Sequence, residues 1–384
     1  MFDSSYIEIN KQAYIDNVNY LRKRFGPDSR FSSVIKGNAY GHGIEHIIPI
    51  AESIGVDHFS VFSADEAEKA YKSITKKSSL MIMGMVDEPA MEWCIENGIE
   101  FYVFDIFRLK SAFELSHKVG QKAIIHLELE TGMYRTGVEE ELIDEVIQFV
   151  LANQQHLEVK GICTHFAGAE SVTNYLRIKE QMKVFNRVVR KIHKAGVPYK
   201  SLHSACSAAA LRYPRTRLDM VRIGIAQYGL WPNKETLMLD LTDDDNEPRE
   251  DPLKRVISWK SKVMSTKLVP KNRFIGYGTS YLTNTKTRIA SVPVGYSHGF
   301  NRSLSNLGRV VIGGKRVAVI GLVNMNMMMV DITSVPSVEI GDEVVLIGSQ
   351  KGKDISVGSF SELTNKLNYE TLARLPHSIP RKVV

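Results

Sequence analysis

Lys36 ends the run Ser33-Val34-Ile35-Lys36, and Gly37-Asn38-Ala39-Tyr40-Gly41-His42-Gly43 follows at once. A lysine at the mouth of a buried strand is partly desolvated, and desolvation lowers the pKa of an amine. An amine of that kind forms Schiff bases or carries protons. Taken alone, the commoner reading of such a residue is a solvated lysine at a strand end. Other polar residues follow other apolar runs in the same manner. They are Glu128, Glu130 and Arg135, then His165, then Ser207, then Arg222. Each has a structural reading of its own, as a satisfied core histidine or a surface charge.

The elements that must position these residues are short strands alternating with amphipathic helices. Strands are expected at 32–35, 58–61, 80–83, 101–103, 123–129, 159–163, 201–203 and 220–222. Helical periodicity covers 11–25, 44–54, 64–71, 106–117, 139–151 and 173–195, with Asn10 as a cap for the first. Gly196 and Pro198 stop the last of these. Eight strand-then-helix units between Ser32 and about Leu230 predict a (β/α)8 TIM-type barrel, an α/β architecture whose chemistry sits at the C-terminal ends of the strands. The suspicious residues all fall there. Beyond Trp231 the pattern changes. Residues 243–252 are acidic with two prolines and read as a connection. Short strands then dominate at 256–263, 287–294, 310–312, 316–323, 327–332 and 343–347, with Gly313-Gly314 as a hairpin turn and one helix near 359–368. The expected organisation is a barrel over 1–240 and a mostly β domain over 241–384.

Length and composition narrow the function classes. The 384 residues suffice for two domains, and a net charge of +6 without a basic cluster does not suggest nucleic-acid binding. Cys94, Cys163 and Cys206 have neither metal-ligand spacing nor a disulfide pattern. No apolar stretch is long enough to span a bilayer, and no basic-then-apolar leader opens the chain. The expectation is a cytoplasmic protein without metal or membrane. Backbone N–H groups near Gly224, with the Ser207 and Tyr40 hydroxyls, suit a phosphate dianion. Gly224 by itself is as well explained by a tight turn. A reactive lysine and a phosphate site on one barrel suggest pyridoxal 5′-phosphate.

The run from Lys36 to Gly43 resembles the cofactor-attachment motif of alanine racemases. Residues 126–137, Thr164-His165-Phe166-Ala167, 207–230, Gly276-Tyr277-Gly278-Thr279-Ser280-Tyr281, Pro293-Val294-Gly295-Tyr296 and Asn324-Met325-Asn326 resemble the same family in the same order, from about Tyr6 to Arg381. The resemblance implies that Lys36 holds pyridoxal 5′-phosphate and is one acid/base, with Tyr277 the other. Racemisation takes one such group per face of Cα. Tyr277 would act across a homodimer with shared active sites, and the β domain would contribute to the partner's site. A phenol has a pKa near ~10, and positive charge at His165 and Arg222 is the expected help. Arg222 would face the pyridine nitrogen and leave it unprotonated, because arginine keeps its proton. Tyr40, Ser207, Gly224 and Ile225 would hold the phosphate, with His165 also beside the cofactor. Arg135 and Met325 would bind the substrate. The implied reaction interconverts L- and D-alanine, supplying D-alanine for peptidoglycan.

Several positions depart from the family pattern. Glu128 stands where many members have a carbamylated lysine, and it is expected to pair with Arg135. Asn326 replaces an aspartate, Asn324 a cysteine, Leu322 an arginine, His298 an aspartate and Cys206 an asparagine. His377 replaces a second active-site tyrosine. These changes leave serine or a broader amino-acid range as an alternative to alanine. A decarboxylase on the same barrel and a non-catalytic cofactor-binding protein are the alternatives from other classes. The first lacks its histidine-rich and cysteine-aspartate motifs here, and the second usually lacks the β domain.

Overall fold

The chain enters through β1 (Ser5–Ile9), whose residues alternate buried and half-buried. Eight short runs rich in Val, Ile, Phe and Met then form parallel strands. They are β2 (Arg30–Val34), β3 (His58–Val61), β4 (Ser79–Ile82), β5 (Glu100–Val103), β6 (Ala123–Glu128), β7 (Leu157–Cys163), β8 (Ser201–His203) and β9 (Met220–Ile223). Their order is β8-β7-β6-β5-β4-β3-β2-β9. An isolated bridge between Cys206 and Arg222, and the Arg222 N–H donating to Ala205 at 3.0 Å, bring the two ends together. The result is a nearly closed barrel with helices between its strands. This computed structural model describes residues 3–242, 250–364 and 367–384. Of the expected acidic connection, residues 243–249 lie outside the described residues; Asp251 accepts from Trp231 Nε1 at 2.8 Å. No helix among the described residues is long and apolar enough to cross a membrane.

Contacts divide the chain into two units. One holds Ala13–Gly37 and Ile47–Lys254; the other holds Met1–Gln12, Asn38–His46 and Arg255–Val384. The barrel strands match their sequence expectations to within two residues at each end, because most are short runs dominated by apolar and β-branched residues. Asp105 caps the helix Ile106–Val119, accepting from Arg108 N at 2.7 Å, and Gly120 ends it with φ 74°. A helix at Glu88–Glu96, capped by Asp87, was not expected from its weak periodicity.

The second unit is a sheet of β10 (Ile257–Lys262), β11 (Ser265–Val269), β12 (Thr287–Val292), β13 (Arg309–Ile312), β14 (Lys315–Ile320), β15 (Met328–Asp331), β16 (Glu343–Gln350), β17 (Lys353–Ile355) and β18 (Arg381–Val383), together with β1. Gly313 and Gly314, with φ 61° and 79°, turn β13 into β14. The fully buried Trp259 and Phe300 rings lie 6.3 Å apart in its core. β1 pairs antiparallel with β10 and parallel with β18. Neither β1 nor β18 is in the sequence expectation. Both are short, and β1 finds its partners only near the far end of the chain.

Where β2 meets β9, Gln227 joins them. Its Oε1 accepts from the Tyr14 and Ser33 hydroxyls at 2.9 and 2.8 Å, and its Nε2 donates to the Val34 and Ile223 carbonyls at 3.0 and 2.8 Å. All of these groups are buried. Gln227→Leu keeps the volume, takes the Nε2 donor from the Ile223 carbonyl, and leaves the Tyr14 and Ser33 hydroxyls only each other at 3.4 Å, while the Val34 carbonyl keeps the Tyr228 hydroxyl. We expect the barrel to lose about 3 kcal/mol, since each stranded group costs roughly 1–3 kcal/mol. Urea denaturation followed by circular dichroism reads this, and an unchanged midpoint contradicts it.

Candidate active site

Lys36 is the second residue past β2, where the strand's apolar run gives out. It keeps some exposure to solvent, yet protein atoms enclose it on most sides. That enclosure lowers its pKa, and the Arg135 guanidinium lowers it further, with Arg222 adding a smaller push. The Glu66 carboxylate opposes this. Glu66 also ties down the backbone, accepting from Gly37 N at 2.5 Å and Phe62 N at 3.0 Å. The amine therefore loses its proton at a lower pH than an exposed lysine does.

The segment after Lys36 is a turn of left-handed helix, where a plain loop was expected. Gly37, Asn38, Ala39, Tyr40 and Gly41 have φ of 61°, 53°, 54°, 51° and 80°. Such conformations cost roughly 1–2 kcal/mol for each residue with a Cβ. Local bonds hold the segment. Gly43 N donates to Asn38 O at 2.9 Å, Ile44 N to Asn38 Oδ1 at 3.2 Å, and both Arg381 Nε and Nη2 donate to Gly41 O. At Gly41 any Cβ would run into the Leu372 carbonyl.

Arg222, on β9, is 4% exposed. Its Nη1 donates to His203 O at 3.1 Å, and its Nη2 to Thr164 O at 2.8 Å and Ser204 O at 3.2 Å. Nη1 also contacts His203 Nδ1. Directly after β9, Gly224 donates its N–H to Ser207 Oγ at 3.0 Å. A 3-10 helix starts at Ile225 and a short α-helix at Ser207. The leading N–H groups of both lack intrahelical partners, as at any helix start. His165 lies two residues beyond β7; burial pushes its pKa down to about 3, helped by Arg222, Arg135 and Lys36.

The barrel unit thus gathers Lys36, Glu128, Arg135, His165, Ser207, Arg222, Gly224 and Ile225 at the C-terminal ends of its strands. The other unit carries the remaining candidates. Tyr40 meets Tyr369 edge-on at 6.1 Å between ring centres. Tyr277 is 71% exposed, between Gly276 and Gly278 with φ 72° and 67°. The Met325 carbonyl accepts from Ser297 N and Oγ, and Asn326 Nδ2 donates to the same Ser297 Oγ at 3.1 Å. His377 is exposed, and its carbonyl accepts from Arg381 Nη1.

The alanine racemase N-terminal domain family matches residues 9–232, and the alanine racemase C-terminal domain family matches residues 256–383. The chain belongs to the alanine racemase family. An alanine racemase of Leptospira interrogans serogroup Icterohaemorrhagiae serovar copenhageni is 33% identical over 386 residues, covering 99% of this chain and 96% of that protein. The solved alanine racemase of Clostridium difficile 630 superposes with a TM-score of 0.91 at 28% identity, covering 100% of this chain and 96% of that one. That of Bacillus anthracis, solved with bound L-Ala-P, does so with a TM-score of 0.89 at 30% identity and the same coverage. The enzyme is an isomerase of the alanine racemase type. Neither the decarboxylase nor the non-catalytic alternative is favoured by matches that span both units.

Alanine racemases generally depend on pyridoxal 5′-phosphate, and the donors of this barrel suit it. An amine with a lowered pKa suits the aldehyde, the Ser207–Gly224 corner suits the phosphate, and a buried guanidinium suits the ring nitrogen. Two details correct the sequence reading of this alanine racemase. His165 is neutral, so it supplies no positive charge; Arg222 and Arg135 do. Glu128 makes no ion pair with Arg135 among the described residues. Burial raises its pKa, a hydrogen bond from Thr136 opposes that, and its Oε2 has no partner. The carboxylate stays at the end of β6, while Arg135 projects into solvent. Sequence reasoning also missed Glu66. Its signal was an acidic residue in the first turn of the helix Ala64–Ser73, a place where solvated carboxylates are common.

Because Arg135 is the largest charge acting on Lys36, Arg135→Met removes a like charge and favours the ammonium. The pH at which Lys36 becomes reactive toward an amine-acylating reagent moves up, measured by peptide mapping of protein stripped of bound aldehydes. A midpoint that stays put or falls contradicts the assignment.

Proposed function

We propose that this alanine racemase works by two-base proton transfer at Cα, with Lys36 on one face and Tyr277 on the other. The observation that carries the proposal is Lys36 itself: an amine with a lowered pKa at the mouth of the barrel, beside Arg135 and above the buried Arg222. When bound, pyridoxal 5′-phosphate withdraws electrons from the attached amino acid and makes its Cα proton acidic. Lys36 would be the residue that holds the cofactor, and its Nζ would hold or deliver the proton on one face of Cα. A lowered pKa suits both tasks near neutral pH. Tyr277 does the same at its phenolic oxygen. Arg222 keeps its proton and leaves the ring nitrogen it faces without one. A cofactor held this way would be a weaker electron sink, which would limit side reactions.

Ser207, Gly224 and Ile225 hold the phosphate together with the Tyr40 hydroxyl, and His165 packs beside the ring as a neutral group. Arg135 and the Met325 backbone bind the substrate carboxylate. Glu128, Asn326 and His377 shape the space around the side chain. Alanine is the substrate that the relatives favour, and its D-form goes to peptidoglycan. We further propose a homodimer with shared sites, in which the barrel over 1–240 binds the cofactor and the β-rich part over 241–384 supplies Tyr277 to the partner. Tyr277's exposure on a glycine-flanked loop supports that role. Three free cysteines support a cytoplasmic setting.

The decisive experiment is α-hydrogen exchange in deuterated water, with pyridoxal 5′-phosphate and a panel of L-amino acids, followed by chiral analysis. We expect rapid exchange with L-alanine and formation of D-alanine. Preference for serine or longer side chains would instead assign specificity to His377 and 324–326, and no exchange with any amino acid would overturn the proposal. Lys36→Ala and Tyr277→Phe should each slow racemisation by about 10²–10⁴-fold, the usual worth of a positioned acid/base. Mixing the two inactive variants tests the sharing. Random dimerisation returns about a quarter of the parent activity if sites are shared across a two-fold interface, and none if each chain is self-contained.

A further inference from the structure

Three histidines and a glutamate inside the barrel have no part in the reaction above. His58 (β3), Glu100 (β5), His126 (β6) and His203 (β8) are 0%, 4%, 1% and 0% exposed. Glu100 Oε2 lies 2.8 Å from His126 Nε2 and 3.3 Å from His58 Nε2. His126 Nδ1 lies 2.8 Å from His203 Nε2. His203 Nδ1 meets Arg222 Nη1. His58 Nδ1 meets Ser32 Oγ at 2.8 Å. The ring nitrogens of these histidines are thus engaged with neighbours, and no group that could hold a metal ion is found among the described residues.

The chemistry of the two ends assigns every proton between them. Arginine has donors only, so His203 Nδ1 accepts and its Nε2 carries hydrogen. His126 Nδ1 must then accept, and its Nε2 donates to Glu100. An ionised carboxylate only accepts, so the same direction follows from the other end. Were Glu100 to donate instead, the reversed chain would set two N–H groups against each other at Arg222. The surroundings agree. Burial lowers the pKa of both His126 and His203. Burial raises that of Glu100, but the hydrogen bonds from His126 and His58 outweigh it and hold the carboxyl well below its usual range. Tyr102, 6.2 and 6.1 Å from the His126 and His203 rings, is kept neutral by burial.

A glycine makes the connection possible. His126 on β6 and His203 on β8 are separated by β7, where Gly161 is paired with His126. A Cβ at Gly161 would collide with His126 Nδ1 and lie 3.0 Å from His203 Nε2. The strand between the two rings can carry no side chain at that level.

We propose that Glu100, His126 and His203 are positioning residues. They form a one-directional hydrogen-bond relay through the barrel, admitted by Gly161, that fixes the orientation of the Arg222 guanidinium. Its consequence for the cofactor rests on Arg222 facing the ring nitrogen; the relay itself does not. Without it, the His203 ring is free to present Nδ1–H to Arg222, and the guanidinium turns away.

Neutron diffraction from deuterium-exchanged crystals of the full chain tests the relay directly. We expect deuterium on Nε2 of both His126 and His203 and on neither Nδ1. Deuterium on either Nδ1 overturns the proposal, whatever the enzyme's substrate or cofactor proves to be. His126→Phe keeps a ring and removes both links. In the holoenzyme it should bind pyridoxal 5′-phosphate about ten-fold more weakly, the scale on which outer partners of a ligating group act. It should also raise the share of turnovers that end in transamination. Glu100→Gln, which keeps an acceptor and loses the charge, should fall between the parent and His126→Phe. Cofactor affinity and transamination both unchanged in a folded His126→Phe protein overturn the positioning role; if that variant does not fold, the deuterium positions decide alone.

Discussion

A permanent positive charge sits inside an eight-stranded barrel, and much of the site's chemistry follows from it. Arg222 cannot shed its proton to escape burial, so it must be met by acceptors on all sides. The loops after β7 and β8 supply the carbonyls of Thr164 and Ser204, and β8 itself supplies that of His203. Its nearest anion along the hydrogen-bond chain is Glu100, two imidazoles away. Each end of that chain would be an uncompensated buried charge without the other. The same positive potential explains the site's protonation states. It helps to keep His165 and His203 neutral, and it adds to the lowering of the Lys36 pKa. Burial is the larger cause of all three shifts, and the Arg222 charge adds to it in the same direction.

The second constraint is backbone strain placed next to the reactive amine. Left-handed turns of several residues are rare because each Cβ crowds the next carbonyl. Here Asn38, Ala39 and Tyr40 adopt one between two glycines. Strain of this kind persists only where surrounding bonds over-determine the conformation. Glu66 grips Gly37 at the start, and Arg381 grips Gly41 at the end.

The barrel was legible because short strand-like runs alternate with mostly amphipathic helices, and the helix Glu88–Glu96, whose periodicity is weak, is one that the pattern did not show. Lys36 was legible because an apolar strand followed by three glycines within seven residues is locally odd. The relay was not legible, although its residues were in plain view. His126 and Glu128 stand two apart in an otherwise apolar strand, and so do Glu100 and Tyr102, which places each pair on one face of its strand. What sequence could not say is that His126 reaches past β7 to His203, because that depends on strand order and on the missing side chain at Gly161. The neutrality of His165 was hidden for a similar reason: it comes from enclosure and from three cations, Arg222, Arg135 and Lys36, that lie far apart in sequence. β1 was missed because its partners, β10 and β18, lie near the other end of the chain.

Glu128 shows how a plausible pairwise expectation fails on geometry. A carboxylate at the end of β6 and an arginine in the loop that follows look like a salt bridge in sequence. A glutamate side chain is short, however, and Glu128 remains 4% exposed with Oε2 unpartnered, while Arg135 extends outward. Burial raises the Glu128 pKa, which weakens it further as a counter-ion. The guanidinium of Arg135 makes no hydrogen-bonded ion pair with Glu128 among the described residues, and its charge acts at longer range on Glu128, Lys36 and His165 together. With Lys36, Arg135 and Arg222 gathered at one end of the barrel, the local potential favours ligands that carry anionic groups.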